Sequence, residues 1–264
     1  QQPVRPPTLS SLIEWPLDDG RPGARLGLAD NNTTGYFLNQ KYTLHEHIAD
    51  SDDNIIALAR KVLGGGPRVV VLNVPTEAAL RIADLPEAED DLLFNAGSMD
   101  TDLRNANCRI NLLHTLPSRA MLTDALIQFL VVRKWTSLFL IKGLRLPDRK
   151  FADAVRKSAA KFRLKIAYEK EWISDADMRR NATREVPVFT QDGDYDMIVV
   201  ADEARDFGQF IQYNSWLPRP VAGTAGLRPV AWSPVVEQWG ALQLQSRFEK
   251  LAGRSMTDKD YAAW

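Results

Sequence analysis

Three acidic residues within five positions, Asp202, Glu203 and Asp206, directly follow the apolar run Met197–Ala201 and form the sharpest polar feature of the chain. Carboxylates at the start of a helix are favoured by its macrodipole, so capping is one job for them. Contact with an organic ligand is a second. Holding a hard cation together with Asp100 and Asp102 is a third, because such cations want several carboxylate or carbonyl oxygens. A second constellation is Asn95-Ala96-Gly97-Ser98, placed just after the apolar run Leu92–Phe94. Backbone N–H groups and a hydroxyl in such a turn suit a carboxylate or another anion. The competing reading is a plain strand-to-helix turn that uses Gly97 for its backbone freedom.

Further candidates are single residues. His114 titrates near neutral pH and can contact a ligand, or can sit hydrogen-bonded in a core. Ser118 suits a helix N-cap. Thr224 lies in the Gly-rich turn Gly223–Gly226. Tyr213 and Trp216 can stack on a flat molecule, whereas Trp232 is assigned to the core. His45 and His47 alternate on one expected strand and share a face, but no third metal ligand is near them in sequence. Cys108 beside Arg109 is read as a buried, inert thiol.

These residues need elements to position them. Val69–Val74, Leu92–Phe94, Leu138–Ile141, Leu164–Trp172, Met197–Ala201 and Pro220–Ala222 are the expected strands, with Tyr42–His47 as another and Asn111–Thr115 as a strand or a crossing segment. Met197–Ala201 has the composition of a strand buried on both faces, and Val69–Val74 is read as a buried strand. Helices are expected over Ala24–Asn32, from Asp52 or Asp53 to Leu63, from a Thr76 cap to about Leu85, and from Pro117-Ser118 to Lys134. The last carries an apolar stripe of Met121, Leu122, Ala125, Leu126, Phe129 and Leu130. Further helices are expected over Asp148–Phe162, from the acidic cluster to Tyr213, and from about Val235 to Leu251. Asp175–Val188 should hold a helical turn or two, and Gln1–Arg21 is irregular, anchored by Leu12, Ile13 and Trp15. Strand and helix alternate at the spacing of parallel βαβ units. The predicted fold is therefore α/β: two Rossmann-like lobes with parallel sheets flanked by helices. Lobe one runs to residue 115 and lobe two over 116–229; 230–264 is a helix returning towards lobe one. Polar segments at the carboxyl ends of strands are the places where ligands bind in open α/β sheets.

Composition narrows the function classes. The chain has 264 residues, a formal net charge of −1, 45% hydrophobic and 25% charged residues. That balance carries no basic nucleic-acid footprint. No apolar run approaches the ~20 residues that span a bilayer. One cysteine excludes an intramolecular disulfide. The three glycines Gly64–Gly66 precede a strand rather than follow one, so they are no dinucleotide fingerprint. No Walker sequence, G-x-S-x-G elbow or nucleophile beside a base is present, and the chain is read as a non-enzyme with no cofactor. A sensor lobe on the same fold is the main rival.

Three long segments carry a resemblance: LLFNAGSMDTDLRNANCRINLLHTLPSRAMLTDAL, YDMIVVADEARDFGQFIQYNSWLPRPVAGTAGLRPVAW and EQWGALQLQSRFEKLAGRSMTDKDYAAW. With the two-lobe alternation, they resemble type I periplasmic substrate-binding proteins of ABC transporters, in the subfamily encoded with PQQ-dependent alcohol dehydrogenases. The resemblance runs from about Ala24 to Trp264. Members usually open with a strand of the IGYL type, which Gln1–Ala24 lacks, and continue past the position of Trp264. The expectation is that the chain is shorter than its gene product. The resemblance implies a monomeric periplasmic receptor that closes two lobes on a small solute and delivers it to a membrane permease. It implies PQQ, an alcohol-derived compound, an amino acid or a metal (calcium or a lanthanide) as ligand. In related receptors the loop matching Asn95–Ser98 contacts the ligand, and the residues expected to line the cleft here are Asn95, Gly97, Ser98, His114, Ser118, Asp202, Glu203 and Thr224.

Overall fold

The computed structural model describes residues 16–49, 52–173, 177–236 and 240–264. The expected anchors Leu12, Ile13 and Trp15, and the capping side chains at the start of the second helix, lie outside the described residues. The chain divides into two compact units, with the boundaries at Ser118/Arg119 and Pro229/Val230.

The first unit contains a parallel three-stranded sheet in the order β1-β2-β3: β1 Val69–Leu72, β2 Leu92–Asn95 and β3 Leu112–His114. One face is covered by α2 (Asp52–Leu63) and α3 (Thr76–Ala83). There Leu72, Leu93 and Leu112 pack with Leu63, Ala79 and Ile82. The opposite face presents Val69, Val71, Leu92 and Leu113 to solvent. The expectation of a buried first strand is thus corrected: burial is one-sided, and the registers Val69↔Leu92 and Phe94↔Leu113 set the exposed apolar residues side by side. Tyr42–His47 joins no ladder, so His45 and His47 are exposed on a loop rather than paired on a strand face.

A second core in this unit joins α1 (Arg21–Leu38), α7 (Ala241–Ala252) and α8 (Asp258–Ala263) through Leu26, Trp232, Leu244, Phe248 and Met256. Trp232 is a core residue, as expected, with its indole N–H on Gln245 Oε1 at 3.2 Å. Helix α1 is longer than the sequence suggests. Pro22 sits in its first turn, where a missing N–H costs nothing, and Asn39 closes it in the left-handed region at φ 52°. At Gly23 the backbone of α8 comes so close that any Cβ would overlap the Asp260 carbonyl.

The second unit is a doubly covered parallel sheet in the order β5-β4-β6-β7: β4 Ser137–Lys142, β5 Lys165–Glu171, β6 Met197–Ala201 and β7 Val221–Gly223. Helices α4 (Arg119–Val132) and α5 (Leu146–Lys161) bury Leu138, Leu140, Met197 and Val199. Helix α6 (Met178–Phe189) and the loop after β6 bury Phe139, Ile141, Ile198 and Val200. All five residues of β6 are therefore buried, as an unbroken apolar run predicts. The buried side of α4 is Thr123, Leu126, Ile127 and Leu130, whereas Met121 and Phe129 are exposed, so the stripe expected for it is corrected by about one position. The strand order reverses between β4 and β6, which makes their carboxyl ends a topological switch point.

Candidate functional site

In the first unit the polar candidates cluster at the carboxyl ends of β2 and β3. Asn95 and His114 are register partners there, so their side chains share a face. Asn95 is completely buried and organises the turn. Its Oδ1 accepts the N–H groups of Gly97 at 3.2 Å and Ser98 at 2.9 Å. Its Nδ2 donates to the Ser98 carbonyl at 2.8 Å and to His114 Nδ1 at 3.1 Å. The two backbone donors fix the amide orientation, and the amide then fixes His114 as an Nδ1 acceptor. Burial, then the nearby Arg104 cation, holds the His114 pKa below its ordinary value, against a hydrogen bond to the Leu103 backbone that acts the other way. His114 is a neutral imidazole at neutral pH.

The N–H groups that the sequence assigned to an incoming anion are thus already directed at Asn95. The hydroxyls are engaged too. Thr76 Oγ1 donates to Asp100 Oδ2 at 2.9 Å, so in its 2.7 Å contact with Ser98 Oγ it is the acceptor. Ser98 Oγ also accepts the Asp100 N–H at 3.2 Å. Thr76 is therefore the first residue of α3 and a network member, not the helix cap expected of it; Pro75 holds the cap position. Gly97 answers to close approach, because a Cβ there would overlap the backbone of Asn73 and Val74. Ser118 is buried immediately before α4.

In the second unit the candidates gather at the switch point. No α-helix follows β6, contrary to expectation: the chain makes tight turns and a short 3-10 turn, Gly208–Phe210. Asp202, 3% exposed, is what turns it. Its oxygens accept three backbone N–H groups, from Asp206 at 2.9 Å, Phe207 at 2.8 Å and Gly208 at 2.6 Å. Burial pushes its pKa up while those bonds pull it down. Its own N–H donates to Thr224 Oγ1 at 2.8 Å, and that hydroxyl donates to the Val200 carbonyl at 3.1 Å. Thr224 thereby ties β7 to the end of β6, helped by Gly223 at φ 105°, where a Cβ would overlap the Val200 carbonyl.

Two ion pairs and a buried carboxylate complete this cluster, through three residues that sequence spacing does not mark: Arg119, Arg145 and Asp148. Arg119 grips Glu203 through two parallel bonds of 2.7 Å. Arg145 holds Asp206 at 2.7 Å and 3.4 Å. Asp148 is buried at the start of α5, accepting N–H groups from Ala204 at 3.1 Å and Arg145 at 3.2 Å. Burial, with Asp202 and Asp206 adding like charge, pushes its pKa up to about 6. The segment Leu146-Pro147-Asp148, a first-turn proline with an acid after it, is the one local signal that could have marked it.

Among the described residues no group of three or more His, Cys, Asp or Glu side chains could hold a metal ion. Tyr213 and Trp216 are exposed. Cys108 is exposed rather than buried, because it lies on an irregular loop between the 3-10 turn Thr101–Arg104 and β3; its neighbour Arg109 is ion-paired with Asp84. No helix among the described residues is long and apolar enough to cross a membrane.

No protein-family model matches this chain. No curated protein matches it either. Solved structures do. An ABC transporter substrate-binding protein from Desulfitobacterium hafniense, in complex with leucine, matches with a TM-score of 0.69 at 15% identity, over 94% of this chain and 77% of that one. A branched-chain amino acid ABC transporter periplasmic ligand-binding protein from Burkholderia xenovorans matches with a TM-score of 0.70 at 17% identity, over 97% and 73%. A solute-binding protein of an ABC transporter from R. palustris, in complex with benzoate, matches with a TM-score of 0.61 at 11% identity, over 92% and 72%. The chain shares with these substrate-binding proteins an α/β fold of parallel sheets flanked by helices.

Proposed function

We propose that this chain is the periplasmic substrate-binding component of an ABC transporter, a monomer that captures a small solute by hinge closure and presents it to a membrane permease. The observation that carries the reading is the fold itself, alike over more than nine-tenths of the chain to proteins described as ABC transporter receptors. Polar side chains collected at the carboxyl ends of parallel strands, in each unit, support it. Leucine and benzoate, named with two of the similar structures, both carry a carboxylate. A small organic acid or amino acid is accordingly the solute class favoured here.

The finer link, to PQQ-dependent alcohol oxidation, rests on the resemblance of the three quoted segments. A metal cargo is not favoured, since Glu203 and Asp206 each face an arginine and Asp202 faces three backbone N–H groups. The test is thermal denaturation of metal-stripped protein with amino acids, aliphatic and aromatic acids, PQQ, calcium and lanthanum. A solute at ~100 times its dissociation constant adds about 2.7 kcal/mol of stability, a readable shift. A response to one organic class supports the reading; silence across the panel contradicts it.

A further inference from the structure

The polar groups at the carboxyl ends of β2 and β3 satisfy one another, with one exception. Asn95 makes four hydrogen bonds, His114 is engaged at Nδ1 and contacts the Leu103 backbone, and the Ser98 and Thr76 hydroxyl protons point into their own network. Arg104 ends the short 3-10 turn Thr101–Arg104 beside them. Its Nη2 donates to the Leu116 carbonyl at 2.7 Å, but its Nη1 is buried with no acceptor. Arg104 makes no ion pair with a carboxylate among the described residues; the residue is half-buried and Nη1 itself is enclosed, so an anion meets that atom only when its cover opens.

A guanidinium stays charged and has no acceptor capacity, so Arg104 is a standing cation with donors left over. A charge drawn partly out of water without a partner is costly, and an anion that pairs with it relieves that cost. The planar fork fits a carboxylate through two parallel N–H bonds. Its field is already felt locally, since it helps hold His114 neutral.

We propose that Arg104 recognises the carboxylate of the solute, and so selects organic acids over their neutral counterparts. This rests on the solute-capture reading. It also answers a difficulty within it: the turn that should cradle an anion has already directed its N–H groups at Asn95, and Arg104 supplies the donors instead. The rival role for Arg104 is a tether that only fixes Leu116.

The test is calorimetry on the full chain with leucine, leucinamide, benzoate and benzamide, using the wild type, Arg104→Gln and Arg104→Lys. The wild type should bind at least one acid and prefer it to its amide by about tenfold or more, the size of a charge-assisted hydrogen bond. Arg104→Gln should lose most of that preference. Arg104→Lys, which keeps the charge but not the fork, should keep part of it, and it carries the comparison if the glutamine variant does not fold. A tether alone would weaken acid and amide alike, so an unchanged ratio in Arg104→Gln overturns the inference and leaves solute capture standing. Wild type that binds an amide as tightly as its acid, or that binds only a neutral solute or a cation, overturns it in the same way. Silence towards every solute overturns both it and the reading beneath it.

Discussion

At the end of β2 the chain is turned by a neutral side chain, Asn95; at the end of β6 it is turned by a carboxylate, Asp202. An amide both donates and accepts, so Asn95 closes its turn with three bonds and orients His114 with a fourth. A carboxylate only accepts. Asp202 therefore gathers N–H groups and brings a buried charge with it, next to a second buried acid, Asp148. The charges around that loop are balanced internally, through Arg119 with Glu203 and Arg145 with Asp206. In the first unit Arg104 has no such partner among the described residues. The sheets differ in the same sense: β6 is buried on both faces, whereas one face of β1–β3 is open. The second unit is built to be closed on itself, and the first to leave groups available.

The largest effect should come from the doubly covered sheet. Phe139, fully buried against Tyr195 and Tyr168, should cost about 3–5 kcal/mol when changed to Ala, read by denaturant unfolding. Asn95→Ala should cost about 3 kcal/mol, because it strands buried donors at Gly97 and Ser98. A cost near zero there would remove the neutral turn as the organiser of the first site. Glu203→Gln should cost about 2 kcal/mol by leaving the partly buried Arg119 without its charge partner; an unchanged melting curve would show the pair to be ornamental.

The pH responses should have opposite signs. Asp148 is raised from 3.8 to about 6, so the native state binds more protons than the unfolded chain between those values. Its contribution is full below pH 4 and is lost as pH rises through 6. His114 is lowered from 6.5, so the unfolded chain binds more protons below that pH. Its contribution is present above pH 6.5 and falls as the pH drops towards its folded value. Hydrogen exchange at Ala204 and at Ser98, followed from pH 4 to pH 7, separates the two. The same sign at both sites would break the contrast between the units. The smallest effect should be Val69→Ala, on the open face, within about 0.5 kcal/mol by the same unfolding measurement.

Much of the second unit was legible because its strands are continuous apolar runs of strand length, as in Met197–Ala201. The face of α4 was not, because that helix is apolar nearly all round and local spacing does not choose a side. The helix expected at Asp202 fails where Arg205 enters the left-handed region at φ 59° and Asp202 itself takes the N–H groups a helix would use internally. Asn95, Ser98, His114, Asp202 and Thr224 are legible as polar residues in or beside the expected strands and turns, and in the structure they lie at strand ends. Their hydrogen-bond partners were not legible. Arg119 and Glu203 are 84 positions apart, and Thr76 reaches Ser98 across 22, distances over which a single sequence carries no pairing signal.

The most direct test of solute capture is amide hydrogen exchange with and without a saturating organic acid found by the thermal panel. The account predicts slowed exchange at residues 95–98 and 202–208 together, saturating at one solute per chain. Protection confined to one unit, or none at saturation, would contradict it.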